Sequence, residues 1–162
     1  MRASGSLFDF LKAPRMEGYS RVLYDHDGAE NTSIGVGHLV HLGRMNPHNS
    51  AEAKFKNGLT DSQIEELFRE DVRAPEREVN DHVRVPLTQN QFDALVSRAF
   101  NLRRAAFIDS TLLRLLNQGD YIGAAGQFSY LSSAYDKTHH SRRSLGGLEY
   151  RRGQEEALFS KR

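Results

Sequence analysis

The segment from Glu17 to His38 holds a dense set of side chains able to do chemistry: Glu17, then Asp25, His26 and Asp27 in one polar stretch, then Thr32 and Ser33, then His38 with His41 beyond it. Two carboxyls divide into a proton donor and a charged partner when their environments differ. Gly18 directly after Glu17 suits a left-handed helix stop, which sets Glu17 at the C-terminal end of a helix. There the negative end of the macrodipole opposes ionisation, and a carboxyl kept protonated is what a general acid requires. Asp27 falls in the turn Asp25-His26-Asp27-Gly28-Ala29-Glu30-Asn31, where solvent and amide donors favour the carboxylate. Two carboxyls so divided and facing one cleft are the layout of a glycosidase. Taken singly, each is an ordinary solvated residue, so the surrounding string carries the weight.

Other chemistries are excluded. His38 and His41 form an H-x-x-H, but they follow a strand-like run with no third ligand evident, so no metal or cofactor is expected and His38 reads as a buried, hydrogen-bonded residue. The chain has no cysteine, which removes disulfides, thiol nucleophiles and cysteine-ligated zinc. Lys+Arg of 22 against Asp+Glu of 21 gives a formal charge of +1, so no global field calls for a nucleic-acid partner. At 162 residues, 38% hydrophobic and 27% charged, the chain reads as one globular domain long enough to bury a core. No apolar run approaches the ~20 residues that span a bilayer, and the start lacks the apolar block of a signal peptide. Synthesis in the cytosol, with no membrane span, is the expectation.

The elements that must position these residues read as α+β and mainly helical. Leu7, Phe8, Phe10 and Leu11 predict a short helix over Ser6 to Met16, with Pro14 making its last turn irregular. Arg21 to Val40 predicts a small antiparallel sheet, two β-prone runs bracketing the Asp/Gly/Asn turn. His41 to Gly58 reads as loop with room for a short strand or helix. Thr60 with Gln63 is a capping box opening a long stripe through Ile64, Leu67, Phe68, Val72, Val79 and Val83, with Pro75 kinking it. Thr88 with Gln91 is a second capping box, Ser110 caps Thr111 to Gln118, Gly119 stops it, and Asp120 opens a short helix through Phe128. The last helix is expected over Gly147 to Phe159. An αβ lobe over 1–58 and a helical lobe over 59–162, bridged by the Thr60 helix, make one domain.

The string Glu17-Gly18, Tyr24, Asp27, Ser33-Ile34-Gly35-Val36-Gly37-His38 resembles the N-terminal signature of the phage T4-type lysozymes, the glycoside hydrolase family 24 endolysins. The runs 59–68, 86–97 and 110–117, and Gly147-Leu148 before Arg151-Arg152, resemble the helical lobe of those enzymes, so the likeness covers nearly the whole chain. It implies a lysozyme-like fold and a muramidase that cleaves the β-1,4 bond between N-acetylmuramic acid and N-acetylglucosamine in peptidoglycan, without cofactor. Glu17 resembles the family's general acid. The family's aspartate falls at His26 when counted from Tyr24 and at Asp27 when counted back from Ile34-Gly35, so Asp27 is the choice and Asp25 the alternate. Ser33 stands where the family has threonine, and Thr32 beside it is the alternate hydroxyl to hold water. Arg151-Arg152 with Glu155 reads as a helix-face ion pair whose charge would meet the anionic wall.

The resemblance further implies delivery to the wall or periplasm by a holin-type system or a secretion machine, with an immunity protein as a further candidate partner. Two rivals stand beside the muramidase: a lytic transglycosylase of the same fold, which forms an anhydro-sugar, and a non-catalytic peptidoglycan-binding module. Two departures, Leu102-Arg103-Arg104 in place of a glycine turn and Leu145-Gly146-Gly147 where a proline is usual, bear on substrate preference. Trp is absent, so sugar stacking falls to Tyr or Phe.

Overall fold

The computed structural model describes residues 1–25, 31–102, 104–136 and 142–161. Along the chain run α1 (Gly5–Leu11), β1 (Ser20–Asp25), β2 (Asn31–Gly35), β3 (His38–Leu42), α2 (Ser50–Ala53), α3 (Asp61–Asp71), α4 (Arg73–His82), α5 (Gln89–Asn101), α6 (Arg104–Ile108), α7 (Thr111–Asn117), α8 (Tyr121–Asp136) and α9 (Arg142–Phe159). The class is α+β and mainly helical, as the sequence predicts. Two compact units divide it, Phe8–Asp71 and Met1–Leu7 with Val72–Arg162.

In the first unit the strands pair antiparallel in the order β1-β2-β3. The run read as one strand through Val40 is two strands, because Gly35 and Gly37 at φ 67° and 70° reverse the chain around Val36. Ile34, Val36, Leu11, Ile64 and Phe68 form the core, with the rings of Phe8 and Phe68 edge to face at 5.2 Å. Both halves of the Thr60–Gln63 capping box are made, and they start α3. His38 Nδ1 lies 2.9 Å from the Asp71 carboxylate and so ties β3 to the end of α3.

The predicted long helix after Thr60 is two helices, broken at Val72. Pro75 has no N–H to bond the Asp71 carbonyl, and it sits in the first turn of α4, where none is needed. One boundary of the compact units falls at this break, between Asp71 and Val72. Met1 to Leu7 belong with the second unit because polar side chains hold them there: the terminal ammonium donates to Asn80 at 2.6 Å, the Ala3 N–H to Glu76 at 2.7 Å, and the Ser4 N–H to Asp93 at 3.1 Å.

In that second unit α5 is buried at every residue from Phe92 to Ala99, beyond the stripe of Phe92, Leu95, Val96 and Ala99 that its sequence shows. Its capping box, the Ser110 cap of α7 and the positive φ of Gly119 all occur where the sequence places them. Among the described residues of 92–128 there is no strand. The helix opened by Asp120 is longer than predicted, running to Asp136, and the last helix starts at Arg142 rather than Gly147.

The expected helix-face ion pair is corrected. Arg151, Arg152 and Glu155 are 4%, 2% and 0% exposed, so their charge meets no wall. The Glu155 carboxylate accepts from Arg151 Nε at 3.0 Å, Arg152 Nη1 at 2.5 Å and the Ser97 hydroxyl at 2.7 Å. Burial pushes the Glu155 carboxyl up, but Arg152, Arg151, Arg98 and the Ser97 hydroxyl together hold it below the usual carboxylate range. Arg98, with Nη1 at 3.8 Å from Glu155, is pulled down to about 9 by burial first and then by the charge of Arg152. One carboxylate therefore supports three buried guanidiniums. Glu155→Gln should destabilise the protein by about 3–5 kcal/mol, the cost of leaving buried charge unpaired, as read by urea unfolding; a loss within ~0.5 kcal/mol would show that Glu155 supports nothing.

Candidate active site

Glu17 does not end a helix. Pro14 supplies no N–H and disfavours helical geometry at Ala13, so α1 stops at Leu11 and turns carry the chain onward. The Glu17 N–H donates to the Leu11 carbonyl at 3.0 Å and the Gly18 N–H to the Ala13 carbonyl at 3.2 Å. Gly18 has the expected left-handed φ of 78°. A macrodipole acts within the last turn, so that of α1 reaches Lys12 rather than Glu17.

What encloses Glu17 is the turn between β2 and β3. A Cβ at Gly37 would lie 2.7 Å from Glu17 Oε2 and 3.0 Å from Cδ, so the carboxyl rests on bare backbone. Tyr24 reaches the same place. Burial pushes its hydroxyl up, the nearby Gly37 backbone opposes this, and the charge of Glu17 adds to it. Ser33 is the cross-strand partner of Tyr24, and directly opposite residues share a face of the sheet. Tyr24 is thus the residue that the structure brings to both, beside Glu17 through its charge and beside Ser33 across the strands, while Ser33 itself is buried. Glu17, Tyr24 and Asp25 line one pocket of about 500 Å³, with Lys12 and Tyr19 at its side.

Thr32 pairs instead with Asp25 and is fully buried. Its hydroxyl lies 2.9 Å from the Gly43 carbonyl, to which it donates, and 3.3 Å from Asp25 Oδ1. Asp25 also accepts the Met45 N–H at 3.0 Å. The loop that supplies Met45 is itself held: Glu52 accepts the Asn46 N–H at 2.7 Å and lies 2.7 Å from His41 Nε2. Asp27 lies outside the described residues, as does His26.

No group of three metal-ligating side chains occurs among the described residues. His38 and His41 turn to different carboxylates, Asp71 and Glu52. Glu52 and the Tyr19–Asp61 contact, in which the tyrosine hydroxyl donates to the carboxylate, are absent from the sequence reading, because no local pattern marks partners 11 and 42 residues apart.

The phage lysozyme family model matches residues 14–155. This chain belongs to that family. The endolysin of Acyrthosiphon pisum secondary endosymbiont phage 1 is 46% identical over 101 residues, 62% of this chain and 68% of that protein. Among solved structures, a point mutant of P22 lysozyme is 32% identical with a TM-score of 0.73 over 99% of both chains. The muramidase domain of SpmX from Asticaccaulis excentricus is 29% identical with a TM-score of 0.74, again over 99% of both. This phage lysozyme is a peptidoglycan hydrolase. No described helix is long and apolar enough to cross a membrane.

The loop brace of this lysozyme carries a pH signature. The Leu42 carbonyl, then the Glu52 carboxylate, push the His41 imidazole up from its ordinary range, while the Asn46 N–H and then His41 hold Glu52 below its own. A raised histidine stabilises fully below its unfolded value of about 6.5 and ceases to as pH rises through the folded value; a lowered carboxyl stabilises above about 4.3 and ceases to as pH falls through its folded value. The brace is therefore whole between the two titrations. The thermal midpoint of the parent should fall relative to His41→Gln as pH rises from ~6 to ~9, and an unchanged difference between the two proteins would dissociate His41 from the brace.

Proposed function

We propose that this phage lysozyme is of the T4 type, family 24 of the glycoside hydrolases, and cleaves the β-1,4 bond from N-acetylmuramic acid to N-acetylglucosamine. Glu17 protonates the leaving glycosidic oxygen as the bond to the muramic C1 breaks, and water adds there while its own proton passes to the carboxylate partner. Asp27 is that partner and the Ser33 hydroxyl holds the water, with Asp25 and Thr32 as alternates. The observation that carries this reading is the seating of the Glu17 carboxyl against Gly37, beside Tyr24 and the face that bears Ser33. Against the alternates stands their prior engagement: Asp25 is held by Met45 and Thr32, and Thr32 by Gly43. Peptidoglycan strands are the partner, and the enzyme acts in the wall or periplasm after delivery by a holin-type system or a secretion machine. An immunity protein would guard a cell that makes it.

Glu17→Gln keeps shape and hydrogen-bonding capacity but loses the transferable proton. Clearing of a purified peptidoglycan suspension should fall by about 100-fold to 10,000-fold, with the thermal midpoint held; parental clearing by the variant would remove Glu17 from the acid role. A hydrolase releases reducing-end muramic acid, whereas anhydro-muramic products in the mass spectrum would replace the water step by transglycosylation. Between the turn carboxyls, Asp27→Ala should abolish turnover and Asp25→Ala should retain most of it, and the reverse ranking in the same assay would move the role to Asp25.

A further inference from the structure

The pocket beside Glu17 has an aromatic wall that the catalytic roles above do not use. Tyr19 is 40% exposed, two residues beyond Glu17, and lines the same ≈500 Å³ pocket. Its hydroxyl donates to Asp61 Oδ1. Asp61 is gripped in turn by Arg21, from Nε at 2.9 Å and Nη2 at 2.5 Å, the forked geometry that fixes both partners. An exposed tyrosine ordinarily turns freely about its side-chain bonds. This one is latched at its tip, so its ring is set before anything binds and little ordering entropy is lost when something does. The hydrogen bond to Asp61 pushes the hydroxyl up from the ordinary tyrosine range, which keeps the donor in place at neutral and mildly alkaline pH.

We infer that Tyr19 is a preset stacking platform for one N-acetylhexosamine ring of the glycan strand, next to the bond at Glu17. The inference rests on the peptidoglycan reading of the site and names a residue that sets how the strand lies in it. A pyranose chair has a face of C–H bonds rimmed by hydroxyls, and a flat, half-polar ring is the surface that fits it. The chain has no Trp to serve instead. Lys12 lines the same pocket, its ammonium held 2.6 Å from Asp9.

The test measures initial clearing rates of the full chain against purified peptidoglycan sacculi for Tyr19→Phe, Tyr19→Leu and Tyr19→Ala. Loss of one aromatic stacking partner should raise KM about tenfold in the Leu and Ala variants, with kcat within about twofold. Tyr19→Phe keeps the plate and loses the latch, so its KM should rise by only about two- to threefold. Asp61→Ala should match Tyr19→Phe, and the two together should be no worse than either alone. Sedimentation with sacculi in a Glu17→Gln background should reproduce the same ranking in binding. A KM that is parental in Tyr19→Ala overturns the platform, as does a Leu variant equal to Phe, which would reduce Tyr19 to bulk. If the parental chain fails to clear sacculi, the hydrolase reading falls and the platform with it; a clearing parent with unmoved Tyr19 variants sinks the platform alone.

Discussion

A carboxyl can rest against the β2–β3 turn only because residue 37 has no side chain. Any Cβ there would overlap Glu17 Oε2, and the φ of 70° is one that side chains other than glycine's rarely adopt. Bare backbone at this point lets a half-buried acid approach a sheet that also presents Tyr24 and Ser33. The remainder of the first unit follows from keeping that turn in place. Ile34 before it and Val36 at its centre anchor the turn in the core, and His38 clamps the strand leaving it to Asp71. Pro14 has the complementary effect, ending α1 early so that Glu17 arrives on a turn of its own.

The unit braces its sheet with charge as well as with apolar packing. Asp25 caps the far end of β1 by accepting from Met45, and Glu52 secures the same loop through Asn46 and His41. Each carboxylate satisfies backbone N–H groups that a loop would otherwise leave to solvent. The consequence for function is that the ends of β1 and β2, which connect through the stretch containing Asp27, are held from the side by hydrogen bonds that depend on protonation.

The helical unit solves a different problem. Its central helix is buried from Phe92 to Ala99 and still carries Asp93, Ser97 and Arg98, so most of their polar partners come from other segments. Asp93 is matched by Ser4 and by Gln89, and Ser97 by Glu155. Removing ions from water is costly, and only several good hydrogen bonds per charge offset it. Such a cluster tolerates few geometries, which ties α5 to α9 in one register.

Wherever a structural decision is local, the sequence by itself determined it. The capping boxes at Thr60 and Thr88, the Ser110 cap, the Gly119 stop and the left-handed Gly18 depend on groups within a few residues of one another, and all are found. The Glu17-to-His38 string was legible for the same reason, since the spacing of a turn and two strands is written in consecutive positions. Only tertiary structure decided where charge is buried. Arg151 and Arg152 look like surface residues until Ser97 and Glu155 meet across 58 positions, and nothing near Tyr19 announces Asp61 at 42. The break at Val72 and the loss of the helix end at Glu17 are local instead: the apolar stripe sets a helix's period, but a missing proline N–H sets its end. Long-range pairing has no periodicity, so a carboxylate's partner is fixed by which surfaces the core brings together.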